Sequence, residues 1–325
     1  DQNSKITIHN IRKSFYSLFP GNWNFKIADL GDIPMGQSQR DTHYVLKNAV
    51  NYLLHHKIIP VVIGGSQDLT YAMYRGYDDL GQTVNCVSVD SKFDLNRETE
   101  FSANAYLTQM IMQEPSNLFN FSVLGYQTYF SSQEEIELLE SMYFDVYRLG
   151  EISSDIKISE PIMRDADIVS FDMTSVQSSS SGNFDVFSPN GFDGKEACVL
   201  SRYAGISDRV SSFGIFNHFG TERESGLISQ IIWYFIEGFQ YRTNEYPIVN
   251  TEELLKYIVP LEDVELIFYH SVHTQKWWIE VPYGMQFKGK THNFTLLPCT
   301  REDYESAINS EIPERWWKAQ KKSLS

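Results

Sequence analysis

Three observations on the sequence predict one α/β domain of three layers, with helices on both faces of a mostly parallel sheet. Short β-branched and aromatic runs alternate with longer stretches of helical period, which is how strands joined by crossover helices read. At 325 residues the chain is long enough to bury such a core. Neither a charge run, an internal repeat nor a Pro/Ser/Gly linker divides residues 1–325, so a single domain is expected.

The elements follow in chain order. A helix is expected over 41–56, then a β-branched run at 58–63, a helix at 68–79 and a strand at 84–89. Short apolar strands follow at 121–124 and 144–147 around a helix at 133–142. Residues 167–171 and 212–216 are strands enclosing a helix at 195–205, and 264–269 is a further strand. The clearest helix is 222–239, where Leu227, Ile228, Ile231, Ile232, Phe235 and Ile236 recur at i, i+1, i+4, i+5, i+8, i+9 and define the face packed on the sheet. Residues 175–189 are polar, with four consecutive serines from Ser178, and read as a loop. A period of two fits 280–289 and 292–297, which suggests a late antiparallel hairpin or edge, and the pairs Trp277-Trp278 and Trp316-Trp317 read as core or subunit packing.

Composition narrows the function classes. With 27 Lys+Arg against 42 Asp+Glu the net charge is −15, which argues against nucleic acid or an anionic membrane as the main partner. The 42% hydrophobic and 14% aromatic content excludes a disordered chain, and no apolar stretch approaches the ~20 residues that cross a bilayer. Cys86, Cys198 and Cys299 form neither CxxC nor a zinc spacing, so a reducing, cytoplasmic compartment is expected. No signal peptide is visible; the sequence begins at Asp1, which leaves a removed segment open.

In open parallel sheets ligands sit beyond the carboxyl ends of the strands. There the sequence places Gly64-Gly65-Ser66-Gln67-Asp68, Asp90-Ser91-Lys92-Phe93-Asp94, Asp172-Met173-Thr174 and Asn217-His218. Asp90, Asp94 and Asp172 would converge with Gln67, Lys92 and Thr174, a pattern suited to a hard-metal site or an acid/base pair. The plainer account is that each Asp caps the segment after its strand. Ser66 lacks the second glycine of a nucleophile elbow and no partner histidine is indicated, His218 being the one near a strand end. His270 and His273, at i and i+3 on a strand, would face opposite ways and not one metal. The Gly64-Gly65 pair is explained by a tight strand-to-helix turn, and the sequons at Asn120 and Asn293 read as chance matches in strand-like surroundings.

These segments resemble the ureohydrolases, the arginase, agmatinase and formimidoylglutamase family, whose motifs run Gly-Gly-Asp-His, Asp-Ala-His-x-Asp and Ser-x-Asp-x-Asp-x-x-Asp-Pro. The chain has Gly64-Gly65-Ser66-Gln67, Asp90-Ser91-Lys92-Phe93-Asp94 and Ser170-Phe171-Asp172-Met173-Thr174 in the same order and spacing. Asp29-Leu30-Gly31-Asp32-Ile33 and Asn190-Gly191-Phe192 with Glu196 extend the likeness, which covers roughly 25–245, and the tail is more like formimidoylglutamase than arginase. The resemblance implies an arginase-like sheet of about eight strands, a two-manganese centre, homo-oligomers, and a bridging hydroxide that attacks a guanidinium or formimidoyl carbon.

Carried over residue by residue, the implied metal ligands Asp90, Asp94 and Asp172 are intact. Gln67 and Lys92 stand in place of histidines, Thr174 in place of an aspartate, and Asn217 in place of the guanidinium-binding glutamate. The resemblance therefore implies a degenerate member, with no cofactor expected, that acts by binding, regulation or scaffolding in a homo-oligomer or protein assembly. The alternative is an active hydrolase of amidine C–N bonds, formimidoylglutamate included, with one metal or none, using Asp94, Asp172 and Lys92. Charge supports the first reading: at about 4 Å and an effective dielectric near 20, each unit pair is worth about 4 kcal/mol. Three carboxylates repel by on the order of 12 kcal/mol, and a Lys92 ammonium among them adds three attractive pairs of that size. One divalent cation on the three aspartates and the Gln67 carbonyl remains a competing arrangement.

Overall fold

The computed structural model describes residues 2–96, 102, 104–184, 188–245, 254–262, 264–282 and 294–324. Its contacts divide the chain into two compact units, Asp1–Glu137 with Asp145–Arg242, and Leu138–Phe144 with Thr243–Ser325. Composition carries no mark of that division.

The elements in chain order are α1 (Gln2–Tyr16), α2 (Gln39–His55), β1 (Val61–Ile63), α3 (Leu69–Arg75), β2 (Val84–Val89), α4 (Tyr106–Met112), β3 (Leu118–Tyr126), α5 (Gln133–Ser141), β4 (Asp145–Arg148), α6 (Leu149–Ser154), α7 (Ser159–Arg164) and β5 (Ile168–Asp172). They continue through α8 (Ser178–Ser181), α9 (Gly194–Ile206), β6 (Ser212–Phe216), α10 (Glu222–Gln240), β7 (Leu255–Pro260), β8 (Glu265–His270), β9 (Trp277–Pro282), β10 (Phe294–Cys299), α11 (Arg301–Ile308) and α12 (Glu314–Leu324).

In the first unit six parallel strands pair in the order β1-β6-β5-β2-β3-β4. Every residue of β2, β5 and β6 is buried, as strands covered by helices on both faces require, whereas the edge strands β1 and β4 are only partly covered. One face packs on α9 and α10, where the apolar stripe read from the sequence lies in one core cluster with Val87, Val89, Val169 and Phe171, and Phe213 stacks on Phe235 at 4.5 Å. On the whole this is the expected α/β architecture of a parallel sheet flanked by helices.

The strand count differs from about eight. The expected strand at 264–269 is β8, in the second unit, where β10-β9-β8-β7 form an antiparallel sheet. Its strands β7, β8 and β9 are joined by short turns, and a parallel pairing would need a crossover of a dozen residues or more. The expected late hairpin corresponds to the antiparallel pair β9 and β10, with 283–293 outside the described residues, as is the sequon at Asn293. Asn120 is committed to Asp145 Oδ2 at 3.0 Å. The serine run is not all loop: Ser178–Ser181 makes one helical turn closed by Gly182 at φ 71°. Trp277, Trp278 and Trp316 are buried while Trp317 is exposed, and Trp316 Nε1 donates to the Glu280 carbonyl at 2.8 Å. His270 ends β8 and stacks on Trp277, and His273 lies in the turn beyond it rather than on the strand. Among the described residues no helix is long and apolar enough to cross a membrane.

Candidate functional site

The strand order creates the site. From β2 the chain continues to β3 on one side, and from β5 to β6 on the other, so the crevice between β2 and β5 is the switch point where such sheets bind ligands. Asp90 directly follows β2, Asp172 ends β5, Asn217 follows β6, and Gln67 lies in the turn after β1. All three aspartates and Gln67 are buried.

Asp90 and Asp172 each spend one oxygen on the backbone two residues on. Asp90 Oδ1 accepts from Lys92 N at 3.1 Å, and Asp172 Oδ1 from Thr174 N at 2.7 Å. The capping account is thus half of the truth, since these are Asx-type turns. The other oxygens face inward: Asp172 Oδ2 accepts from Asn217 Nδ2 at 3.0 Å, while Asp90 Oδ2 has no hydrogen-bond partner. Asp94 sits at φ 53° and Asn217 at φ 54°, left-handed conformations that short polar side chains tolerate best. Gly125 on β3, at φ 102°, leaves no room for a side chain beside Asp90, because a Cβ there would meet the Phe192 ring at 2.4 Å and the Asp90 carbonyl oxygen at 3.3 Å.

Lys92 Nζ lies 3.0 Å from Asp94 Oδ1 as an ion pair, and it donates to Asn104 Oδ1. Its side chain is 35% exposed against 1% for Asp94, so the ammonium stands at the mouth with the carboxylate beneath. Burial pushes Asp90 well above the usual carboxylate range, helped by Asp172 and Asp94. Asp94 is raised by burial to about 7 although Lys92 opposes the shift, and burial also raises Asp172 against the pull of Thr174 and Asn217. For Lys92 burial works the other way, but Asp94, Asp90 and Asp172 outweigh it and raise the ammonium. These groups titrate as a unit, holding protons among the aspartates and the charge on the lysine.

Gln67 is enclosed by hydroxyls. Its Nε2 donates to Ser88 Oγ at 3.1 Å, Tyr106 Oη at 3.3 Å and Ser170 Oγ at 3.4 Å, and its backbone N donates to Asn217 Oδ1 at 3.1 Å. Ser88, Tyr106 and Asn104 carry no signal in the sequence, and Ser170 appears there only as the first residue of the third motif. The serines alternate with apolar residues inside β2 and β5, and Tyr106 is 39 residues from Gln67, so only the folded sheet joins them. Ser66 donates to Asp68 Oδ1, and His43 Nε2 holds Asp68 Oδ2, so serine and histidine share the carboxylate instead of each other and make no nucleophile relay. His218 beside Gly64 is driven by burial to about 4 and stays neutral. Gly65 has open space where a Cβ would stand and no left-handed backbone, so the turn after β1 does not depend on it. Glu196 forms a capping box with Asp193 at the start of α9.

The donor set does not fit a pair of divalent cations. Among the described residues no group of three or more His, Cys, Asp or Glu is arranged to hold a metal ion. An ammonium replaces one implied ligand, and of the Gln67 amide the Nε2 donates into the hydroxyls while the Oε1 accepts from Asn217 Nδ2 at 3.5 Å.

A buried polar centre at the switch point of a parallel sheet defines the class: an α/β protein with a strand-end site. A model of the arginase family matches residues 7–202, and the chain belongs to that family. Among solved structures it is similar to formimidoylglutamase from Bacillus subtilis (TM-score 0.65, 14% identity, 73% of this chain and 82% of that one). It is also similar to formiminoglutamase from Trypanosoma cruzi with Mn2+ (TM-score 0.58, 18% identity, 64% and 74%) and to arginase from Bacillus subtilis (TM-score 0.60, 16% identity, 73% and 93%). At these identities the likeness is one of fold. No curated protein matches the chain.

Proposed function

We propose that this chain is a catalytically degenerate, formimidoylglutamase-like arginase-family protein that acts by binding, regulation or scaffolding. One observation carries the reading: the Lys92 ammonium is paired with Asp94 at 3.0 Å at the mouth of the aspartate cluster, at the position where the resemblance implies a ligand of the second metal. A permanent cation there supplies counter-charge to Asp90, Asp94 and Asp172 and repels an incoming dication. Gln67 and Asn217 support the same reading, since their amides join the cluster to neutral hydroxyls. Three buried free thiols suit a cytoplasmic setting, and a homo-oligomer or a protein assembly is the form in which such a chain would act.

The test is elemental analysis of purified protein together with release of urea, ammonia or formamide from arginine, agmatine and formimidoylglutamate, with and without added manganese. Substoichiometric metal and no release above background are expected. Turnover of any of the three would overturn the reading and favour the second one, metal-free or one-metal hydrolysis. That second reading is supported by the placement of Asp94, a buried carboxyl 3.0 Å from the Lys92 ammonium, which burial raises to about 7 and so into the range for proton transfer at neutral pH.

A further inference from the structure

The segment between α1 and α2 that carries Asp29-Leu30-Gly31-Asp32-Ile33 is exposed at every residue from Lys26 to Met35. Six of those ten residues are apolar: Ile27, Ala28, Leu30, Ile33, Pro34 and Met35. Single apolar residues on a surface are ordinary, but a continuous apolar stretch marks a contact. Among the described residues none of the ten makes a backbone–backbone hydrogen bond. The segment thus gains little burial and no backbone ladder from its own chain.

It is nevertheless held in one place. Arg12 grips Asp29 with two parallel bonds, Nε to Oδ2 at 2.8 Å and Nη2 to Oδ1 at 3.1 Å, and its Nη1 lies 2.7 Å from Asp32 Oδ1. The Tyr16 hydroxyl donates to Asp29 Oδ2 at 2.6 Å, and the N–H of Gly31, at φ 83°, donates to Asp29 Oδ1 at 2.8 Å. These bonds fix a turn with Leu30 at its tip. Ordering the turn in the free chain costs conformational entropy that binding a partner then need not overcome.

Charge and area select the partner. Arg12 and Lys26 against Asp29 and Asp32 leave this face neutral in a chain of −15, so two copies can meet on it without opposing like charges, and a charged partner finds no handle there. Ile27, Leu30, Ile33 and Met35 are 49, 73, 40 and 76% exposed, and Tyr16 is 62% exposed. At roughly 150–200 Å² for a fully exposed large side chain, the five present about 500 Å² of apolar surface. Two such faces bring together about 1,000 Å², which is the apolar share of an interface of roughly 1,600 Å², the standard size for a stable complex.

We propose that this face pairs with the same face of a second copy of the chain across a two-fold axis, with Leu30 at the apolar centre and the Arg12 clamp behind it. The inference rests on the reading of the chain as one that acts in an assembly, and it gives that assembly a self-complementary surface.

Sedimentation velocity on the full chain from about 1 to 100 µM tests this. An even number of copies is expected, with a Kd of about 10 µM or below. Leu30→Asp, at an exposed position, should weaken association at least 100-fold. Arg12→Met leaves Asp29 and Asp32 of each copy without counter-charge, and should weaken it at least tenfold in low salt and less in about 0.5 M salt, where screening is strong. Ile308→Asp, the same charge at a 55% exposed apolar position on α11, should change nothing. A monomer at 100 µM, a trimer, or equal effects of Leu30→Asp and Ile308→Asp would overturn the proposal. Metal content and turnover, which test the degenerate-enzyme reading, do not enter this measurement, so either can fail alone.

Discussion

Lys92 and Asp94 oppose each other in their response to pH, and that makes each a probe of the other. Folding raises Asp94 from an ordinary 3.8 to about 7. Between those values the folded chain holds a proton that the unfolded chain has released, so stability falls as pH rises from about 4 to 7 and is level above. Asp94→Asn removes that penalty: the variant should match the parent near pH 4 and exceed it at pH 8, by a ceiling on the order of 4 kcal/mol that coupling to Asp90 and Asp172 reduces. Urea unfolding at both pH values checks this, and an equal difference at the two would show that Asp94 is not the titrating group. Lys92→Met should do the reverse, costing little at pH 5, where Asp94 holds its proton, and roughly 1–2 kcal/mol at pH 8 after allowance for its partial exposure. At this scale Asp90, Asp94, Asp172 and Lys92 are legible in the sequence, because each lies at or just beyond the end of a strand. Asn104 and the hydroxyls around Gln67 are not, because they are themselves uncharged and meet Lys92 and Gln67 only once the chain has folded.

Among the elements, α9 and α10 set how closely the helical layer can approach itself. A Cβ on Gly205 would stand 2.1 Å from the Phe235 carbonyl oxygen, and one on Gly238 would stand 2.4 Å from that of Arg202. The contact is with backbone on both sides, so neither helix can yield by turning a side chain. Gly205→Ala should therefore lose about 1–3 kcal/mol, although alanine is the better helix former, and a gain in thermal stability would show that the helices are not in contact there. The two helices were also among the easiest to read, since a nineteen-residue amphipathic stripe has five turns in which to show its period. Short helices such as α4, α6 and α7, six or seven residues each, cannot display a period, and none of them is predicted. Strand β7 is missed for a different reason: most of its side chains are exposed or half-exposed, so it lacks the apolar run that marks buried strands.

For the whole molecule the question is whether the fold can hold the two-metal centre that the family resemblance implies. β2, β5 and β6 hold the aspartates and Asn217 through fully buried strands in parallel register, and these backbone positions do not depend on the side chains that were exchanged. Added manganese should leave the melting temperature of the parent chain unchanged, because a ligand stabilises only what it binds in the folded state. The combined variant Gln67→His, Lys92→His and Thr174→Asp removes the competing ammonium and restores the imidazole and carboxylate donors that the family resemblance implies. At metal concentrations about 100-fold above Kd, binding would add about 2.7 kcal/mol, a rise in melting temperature of roughly 5–10 °C for a domain of this size class. Calorimetry with manganese, and with chelator as the control, reads both chains. A folded triple variant that gains nothing would show that the hydroxyl cage around position 67 and the Asn217 contact to Asp172 have closed the frame as well as emptied it. A rise confined to the triple variant would show that those three side chains alone decide whether the frame binds manganese.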